Sequence, residues 1–193
     1  MDKTINFFNE NTYRYDSWYD RHGEEFIDQL AFLSDHLPPS GGVEIGVGTG
    51  RFASLLGIKF GVDASENMLR LTASRGVYPI LASAYELPFI KDQFSFSLFI
   101  FTLCFLSDPV SAIVEAGRIS KNVISVILED GTEYVQKLKQ KREGFYSFAT
   151  FYSTDEITQM YREAGLKVHY VGMKELITDG LNYRLVIVSG HSK

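Results

Sequence analysis

The chain has a single cysteine, Cys104, among 193 residues. That excludes an intrachain disulfide and any cysteine-cluster metal site, and Cys104 sits in an apolar run where a buried thiol is the ordinary occupant. Proline is scarce, five in all, and no proline-rich linker, low-complexity tract or internal repeat proposes a second domain. Long hydrophobic runs are missing too: the longest, Phe96 to Leu106, is broken by Ser97 and Thr102 and is too short to span a bilayer. The opening Met1-Asp2-Lys3-Thr4 lacks the apolar core of a secretory leader, so a cytoplasmic protein with no membrane partner is expected. Positive charge is not in excess. The net charge of −5 disfavours attraction to phosphate backbones, which makes nucleic acid an unfavoured partner. The four histidines, His22, His36, His169 and His191, are scattered without ligand spacing, and no metal is expected.

What the chain does have is core material, with 45% hydrophobic residues in a length that fits one domain, 1–193. Aromatics crowd the first part (Phe7, Phe8, Tyr13, Tyr15, Trp18, Tyr19), and from Glu24 apolar residues fall at helical spacing until Pro38-Pro39-Ser40-Gly41-Gly42 stops them. Residues 1–37 are therefore expected to form a helical, aromatic N-terminal cap, and 131–152 a lid insertion. After Gly42, short β-like runs alternate with helical segments, the signature of βαβ units and a parallel sheet. The candidate strands are Val43 to Val47, Ile58 to Val62, Val77 to Leu81, Phe94 to Phe101, Val123 to Leu128, Lys167 to Val171 and Arg184 to Val188. The last two follow one another without a helix between them, so they are expected to run antiparallel. Asp108-Pro109 and Ser153 with Glu156 mark helix starts.

The most informative segment is Val43-Glu44-Ile45-Gly46-Val47-Gly48-Thr49-Gly50, a strand running into a glycine-rich turn. Glycine there lets the backbone turn tightly and approach a ligand. Asp63 follows the next strand and falls beside that turn, where an acidic residue in a doubly wound sheet can accept both hydroxyls of a ribose. As a helix cap before Ser65 it would also make sense. A dinucleotide fingerprint G-x-G-x-x-G needs glycine at position 51, which is Arg, so NAD is demoted.

With these residues the chain resembles the class I S-adenosylmethionine-dependent methyltransferases, within them the type 11 group that includes the ubiquinone and menaquinone methylases. The resemblance is carried by Val43 to Gly50, Gly61-Val62-Asp63-Ala64-Ser65 with Met68, Ala84-Tyr85-Glu86-Leu87-Pro88-Phe89, and Phe94 to Pro109. It implies an α/β fold: a Rossmann-like seven-stranded, mostly parallel sheet with helices on both faces and an antiparallel last strand. It also implies S-adenosylmethionine as cofactor, S-adenosylhomocysteine as product, and roles residue by residue. Gly46, Val47, Gly48 and Gly50 would pass the methionine and ribose part, and Glu44 would hold the loop or meet the ammonium. Asp63 would take the ribose hydroxyls, Ala64 and Met68 one face of adenine, and Ser83, Ala84 and Tyr85 its edge and other face. Thr102 and Leu103 would lie near the sulfonium methyl. Many relatives have Asp where this chain has Ser83, which can accept from the adenine amino group only through a hydroxyl.

No constellation marks a general base, and no catalytic residue is assigned. His22 is the best-placed histidine, but it reads more simply as a helix-start residue. The aromatic segments nominate Tyr15, Trp18, Tyr19, Phe145 and Tyr146 as substrate contacts that could surround an apolar ring or a cationic amine. The expected activity is methyl transfer to a small-molecule acceptor, a small amine or an aromatic metabolite. Two other readings stay open: a non-catalytic S-adenosylmethionine-binding module, motivated by Ser83 and the missing base, and an RNA methyltransferase, motivated only by the basic run Lys137 to Arg142. That run reads more simply as the solvated side of a helix. Oligomeric state is not readable.

Overall fold

The computed structural model describes residues 3–141 and 144–192; Arg142, at the end of the basic run, lies outside them. Three helices come first, α1 (Lys3–Glu10), α2 (Thr12–Arg21) and α3 (Gly23–Ser34). They are followed by β1 (Gly42–Ile45), α4 (Arg51–Leu55), β2 (Phe60–Asp63), α5 (Glu66–Ser74), β3 (Tyr78–Leu81), β4 (Phe94–Ile100) and α6 (Pro109–Ile119). The chain continues with β5 (Ser120–Leu128), α7 (Glu133–Lys141), α8 (Thr154–Glu163), β6 (Leu166–Thr178) and β7 (Leu181–Ser192). The seven strands form one sheet in the order β3-β2-β1-β4-β5-β7-β6, parallel except for β7, which runs antiparallel to both neighbours. This is the Rossmann-like arrangement, with the strand order reversing between β1 and β4. Ligands in such sheets bind in the crevice at the carboxyl ends of the strands flanking that reversal.

Because helices cover both faces, the central strands are buried on both sides and read as nearly continuous apolar runs. In β4, Phe96, Leu98 and Ile100 pack with Tyr19, Phe26, Leu33 and Phe52 of α2, α3 and α4. Phe99 points the other way, packed in the layer that holds Ala112, Ile113 and Ala116 of α6 and Ile157 and Tyr161 of α8, while Phe94 at the strand's start meets the rings of Phe60 and Phe89. Polar atoms inside this second layer are paired: the Tyr161 and Ser125 hydroxyls lie 2.7 Å apart, as do those of Ser97 and Ser120 at 2.9 Å. Among the described residues no helix is long and apolar enough to cross a membrane.

Helix starts follow the local chemistry. Asp108 caps α6 through the Ser111 N–H, with Pro109 at the first helical position. At α8, the Ser153 hydroxyl accepts from the Glu156 N–H and the Glu156 carboxylate accepts from the Ser153 N–H, a complete capping box. Ser153→Ala is expected to lower stability by about 1 kcal/mol, seen as a lower denaturation midpoint at unchanged slope.

The strands expected at Lys167 to Val171 and Arg184 to Val188 are far longer, and no loop separates them. Thr178 pairs with Leu181 around Asp179-Gly180, whose φ angles of +50° and +75° are those a two-residue I′ hairpin turn demands. The segment from Gly172 to Thr178 hides its strand character because β6 is an edge strand with one wet face, on which Met173 and Ile177 are exposed.

Candidate active site

After Ile45 the chain leaves the sheet through three glycines at positive φ, Gly46 (+74°), Gly48 (+55°) and Gly50 (+77°). Gly46 is irreplaceable on two grounds. A side chain would be strained at that φ, and its Cβ would lie 2.2 Å from Cγ2 of Thr102, so the turn after β1 abuts the turn after β4. Asp63 ties the arrangement together from the end of β2: its carboxylate accepts from the Gly48 N–H and the Ser65 N–H, both at 2.8 Å. Burial raises the Asp63 carboxyl, and these backbone donors work against that rise. Two bonds leave a carboxylate further acceptor capacity.

These turns line a cavity of about 150 Å³ at the carboxyl edge of β1, β2 and β4. Of the residues the sequence nominated for a cofactor, Gly46, Gly48, Asp63, Ala64, Met68, Ser83, Ala84, Tyr85 and Thr102 line it together. Four stand behind the wall. Glu44 is buried and accepts from the Ala53 backbone, so it braces the start of α4, while its Oε2 has no hydrogen-bond partner. Burial, with Asp63 nearby, holds its carboxyl well above the ordinary range. Val47 packs over Gly61, Gly50 caps α4 in the left-handed region, and Leu103 is buried against the α6 layer. Tyr85 closes one side, its hydroxyl 3.1 Å from that of Ser107 and accepting from the Asp108 N–H.

The cavity's roof comes from the N-terminal helices, which the cofactor motifs did not reveal. Thr4, Ile5, Phe8 and Tyr15 line it. α1 is pinned to the loop after β2: Asn9 Oδ1 accepts from the Ser65 hydroxyl at 2.7 Å and from the Asn67 N–H at 3.2 Å. α2 is pinned by Asp16, whose carboxylate accepts two bonds from Arg51, at 2.9 and 2.8 Å, and one from Arg75 at 2.8 Å. Burial would raise the Asp16 carboxyl, but the Arg51 and Arg75 guanidinium groups overcome it and hold it at about 2. Arg51 replaces the third glycine of a dinucleotide turn, and that substitution was the one sequence signal of this clamp.

A second cavity, of about 170 Å³, adjoins the first. All five nominated aromatic residues line it, Tyr15, Trp18, Tyr19, Phe145 and Tyr146, joined by Glu25, Gln29, Leu128 and Tyr134. Tyr15, Phe101 and Phe105 belong to both walls. Phe101 takes φ +54°, a conformation that costs a bulky residue strain and is found where surrounding structure imposes it. The Tyr15 and Tyr19 hydroxyls are 2.8 Å apart, and burial raises both phenols beyond their ordinary value. Burial likewise pushes the Cys104 thiol up to about 12, which leaves it un-ionised. His22 lines neither cavity: its ring stacks on Trp18 at 4.4 Å and its Nδ1 lies 2.9 Å from the Trp18 carbonyl oxygen.

Comparisons with known proteins agree with this geometry. Residues 43–123 match the model of a methyltransferase domain. An uncharacterized protein of Methanocaldococcus jannaschii is 38% identical over 170 residues, 84% of this chain and 82% of that one. Among solved structures, a SAM-dependent methyltransferase of Thermotoga maritima, described as a possible histamine N-methyltransferase, is 31% identical with a TM-score of 0.90, covering 98% of this chain and 100% of that one. The magnesium protoporphyrin IX methyltransferase of Synechocystis, solved with bound S-adenosylhomocysteine, shares the fold at 16% identity and a TM-score of 0.70, with all of both chains covered. A glycine cradle and an acidic residue with spare acceptor capacity, together at the sheet's reversal point, suit a nucleoside, and with these relatives they show that the chain belongs to the class I methyltransferases, whose cofactor is S-adenosylmethionine.

Proposed function

We propose that the enzyme transfers a methyl group to a small-molecule acceptor bound in the second cavity, with S-adenosylmethionine in the first. The observation that carries this is the junction: the two cavities share Tyr15, Phe101 and Phe105, and α2 lines both. A small amine or an aromatic metabolite suits the aromatic walls, and the description of the Thermotoga relative points to an amine. The basic run offers little to RNA, since Lys139 pairs with Asp130 at 2.7 Å and Lys137 lies 4.0 Å from Asp179.

In this reading Asp63 accepts from the ribose hydroxyls, Ala64 and Met68 press on adenine, and Ser83, Ala84 and Tyr85 surround its edge. Gly46 and Gly48 let the backbone approach the methionine portion, and Thr102 stands near the reacting group. Glu44, Val47, Gly50 and Leu103 support this shell from behind. The cofactor supplies a methyl group already activated by the sulfonium charge. The chain's residues then have two tasks: Tyr15, Phe101 and Phe105 orient the acceptor for in-line approach, and the N-terminal helices exclude water. The test is a panel of amines, phenols and carboxylic acids incubated with labelled cofactor, with products identified by mass spectrometry. Methylated amine or phenol is the expected product; methylation confined to added RNA would overturn the proposal.

A further inference from the structure

Two polar side chains of the second cavity offer acceptors that no cation of the described residues engages. Glu25 and Gln29 stand one helical turn apart on α3, and both line this cavity and not the first. Gln29 Nε2 donates to Glu25 Oε1 at 3.2 Å and to the Tyr183 hydroxyl at 2.9 Å. An ionised carboxylate can only accept, so the amide nitrogen must face Glu25, and Oε1 is the atom left over. That oxygen has no hydrogen-bond partner, although Gln29 is only 2% exposed. A buried acceptor in this state is destabilising until something donates to it. Among the described residues no cation forms a salt bridge with Glu25 either. Around the two acceptors stand the rings of Trp18, Tyr19, Tyr134 and Tyr146. Burial and, after it, the Glu25 charge push the Tyr134 phenol up to about 12, so this wall stays neutral.

We propose that the second cavity binds the acceptor through an ammonium group, which donates to the Glu25 carboxylate and to Gln29 Oε1 and lies against the aromatic rings. The inference rests on the first cavity being the cofactor site, and it adds a constraint on the acceptor. An ammonium nitrogen has no lone pair with which to attack a methyl group. While that nitrogen stays protonated the reacting atom is a second nucleophile of the same molecule, on the side of Tyr15 and Phe101; an amine that gives its proton to water or to a carboxylate is itself the acceptor. Arg14 and Arg21 also reach this cavity, but both are exposed, and Arg21 Nε donates to the Ser17 carbonyl oxygen at 3.2 Å. They would favour an acidic acceptor, so the experiment includes one. The volume of about 170 Å³ suits one ring with a short chain, since a 150 Å³ apolar cavity holds benzene.

The full chain, saturated with S-adenosylhomocysteine, is titrated by calorimetry at neutral pH with phenethylamine, 2-phenylethanol and 3-phenylpropionate, as wild type and as Glu25→Gln. Phenethylamine is expected to bind about tenfold or more tighter than the alcohol, with the carboxylate weakest. Glu25→Gln should erase the amine's advantage and leave S-adenosylhomocysteine affinity within about twofold, the size of change expected of a group outside the cofactor cavity. Equal binding of the three probes, preference for the carboxylate, no binding of any, or a preserved advantage in the variant would each overturn the proposal. Loss of S-adenosylhomocysteine affinity in Glu25→Gln would assign the residue a structural role and overturn it too. Wild-type protein that fails to bind S-adenosylhomocysteine would instead remove the cofactor assignment beneath it.

Discussion

Asp63→Ala is expected to weaken S-adenosylhomocysteine binding by about 100-fold or more, because hydrogen bonds to a charged acceptor contribute roughly 1.5–3 kcal/mol each and two ribose hydroxyls would lose theirs. The loss has a second source. The carboxylate also accepts from the Gly48 and Ser65 N–H groups, so its removal loosens the glycine turn and the start of α5 together. Asp63→Asn tests the need for a carboxylate with little change in volume. Its amide keeps one acceptor oxygen but sets an NH₂ against one of two backbone donors, and it should bind cofactor nearly as poorly as alanine. Calorimetric titration checks both variants, with a circular dichroism melt to confirm folding. An Asp63→Ala protein that is folded and binds within threefold of wild type would remove Asp63 from the site.

Asp16→Ala should lower stability by about 2–3 kcal/mol, a fall in melting temperature on the order of 4–12 °C for a chain of this length. It would leave Arg75 with the Thr49 carbonyl oxygen, and Arg51 with the exposed Asp20 and the face of the Tyr19 ring. The effect depends on pH with a definite sign. Asp16 is held at about 2 against an ordinary 3.8, so its contribution is present in full above pH 3.8 and is lost as pH falls towards 2. Of the total, the linked part is about 1–2 kcal/mol after solvent screening. The stability gap between wild type and variant is thus flat from pH 7 to 5 and narrows between pH 4 and 2. Glu44 and Asp63, raised by burial, act in the opposite sense, but they are common to both proteins and cancel in the difference. Urea titrations across this range decide it: a gap that stays constant down to pH 3 would mean the carboxylate's charge is not what clamps α2.

How far the sequence could be read depended on whether the signal was local. The turn after β1 and the acid after β2 were legible because each lies within a few residues of a recognisable strand, and sheet topology alone brings strand ends together. Thr102 and Leu103 mark where such reasoning stops. They are adjacent, but the left-handed Phe101 and the 3₁₀ turn Leu103–Phe105 turn one towards the cavity and the other into the core. Beyond the arginine at position 51, the Asp16 clamp left no trace in the sequence, because its three members are far apart in the chain and Asp16 and Arg75 look like surface charges. Glu25 and Gln29 look like the wet face of an amphipathic helix, and only the burial of that face against Tyr183 and Tyr134 makes them part of a cavity. The final hairpin carried a readable Asp-Gly signal, masked because the outer face of β6 mixes charged residues with the exposed Met173 and Ile177 and shows no clean alternation.

The roof over the site is one continuous stretch of chain, in which α1 and α2 cover the first cavity while α2 and α3 wall the second. Traffic through the two rooms is consequently interdependent. With nucleoside and acceptor placed as proposed, lifting α2 to release the spent nucleoside would also dismantle the wall around the product, so both would leave through the same opening. If opening there limited turnover, the Asp16 clamp that steadies the protein would also act as a brake on release.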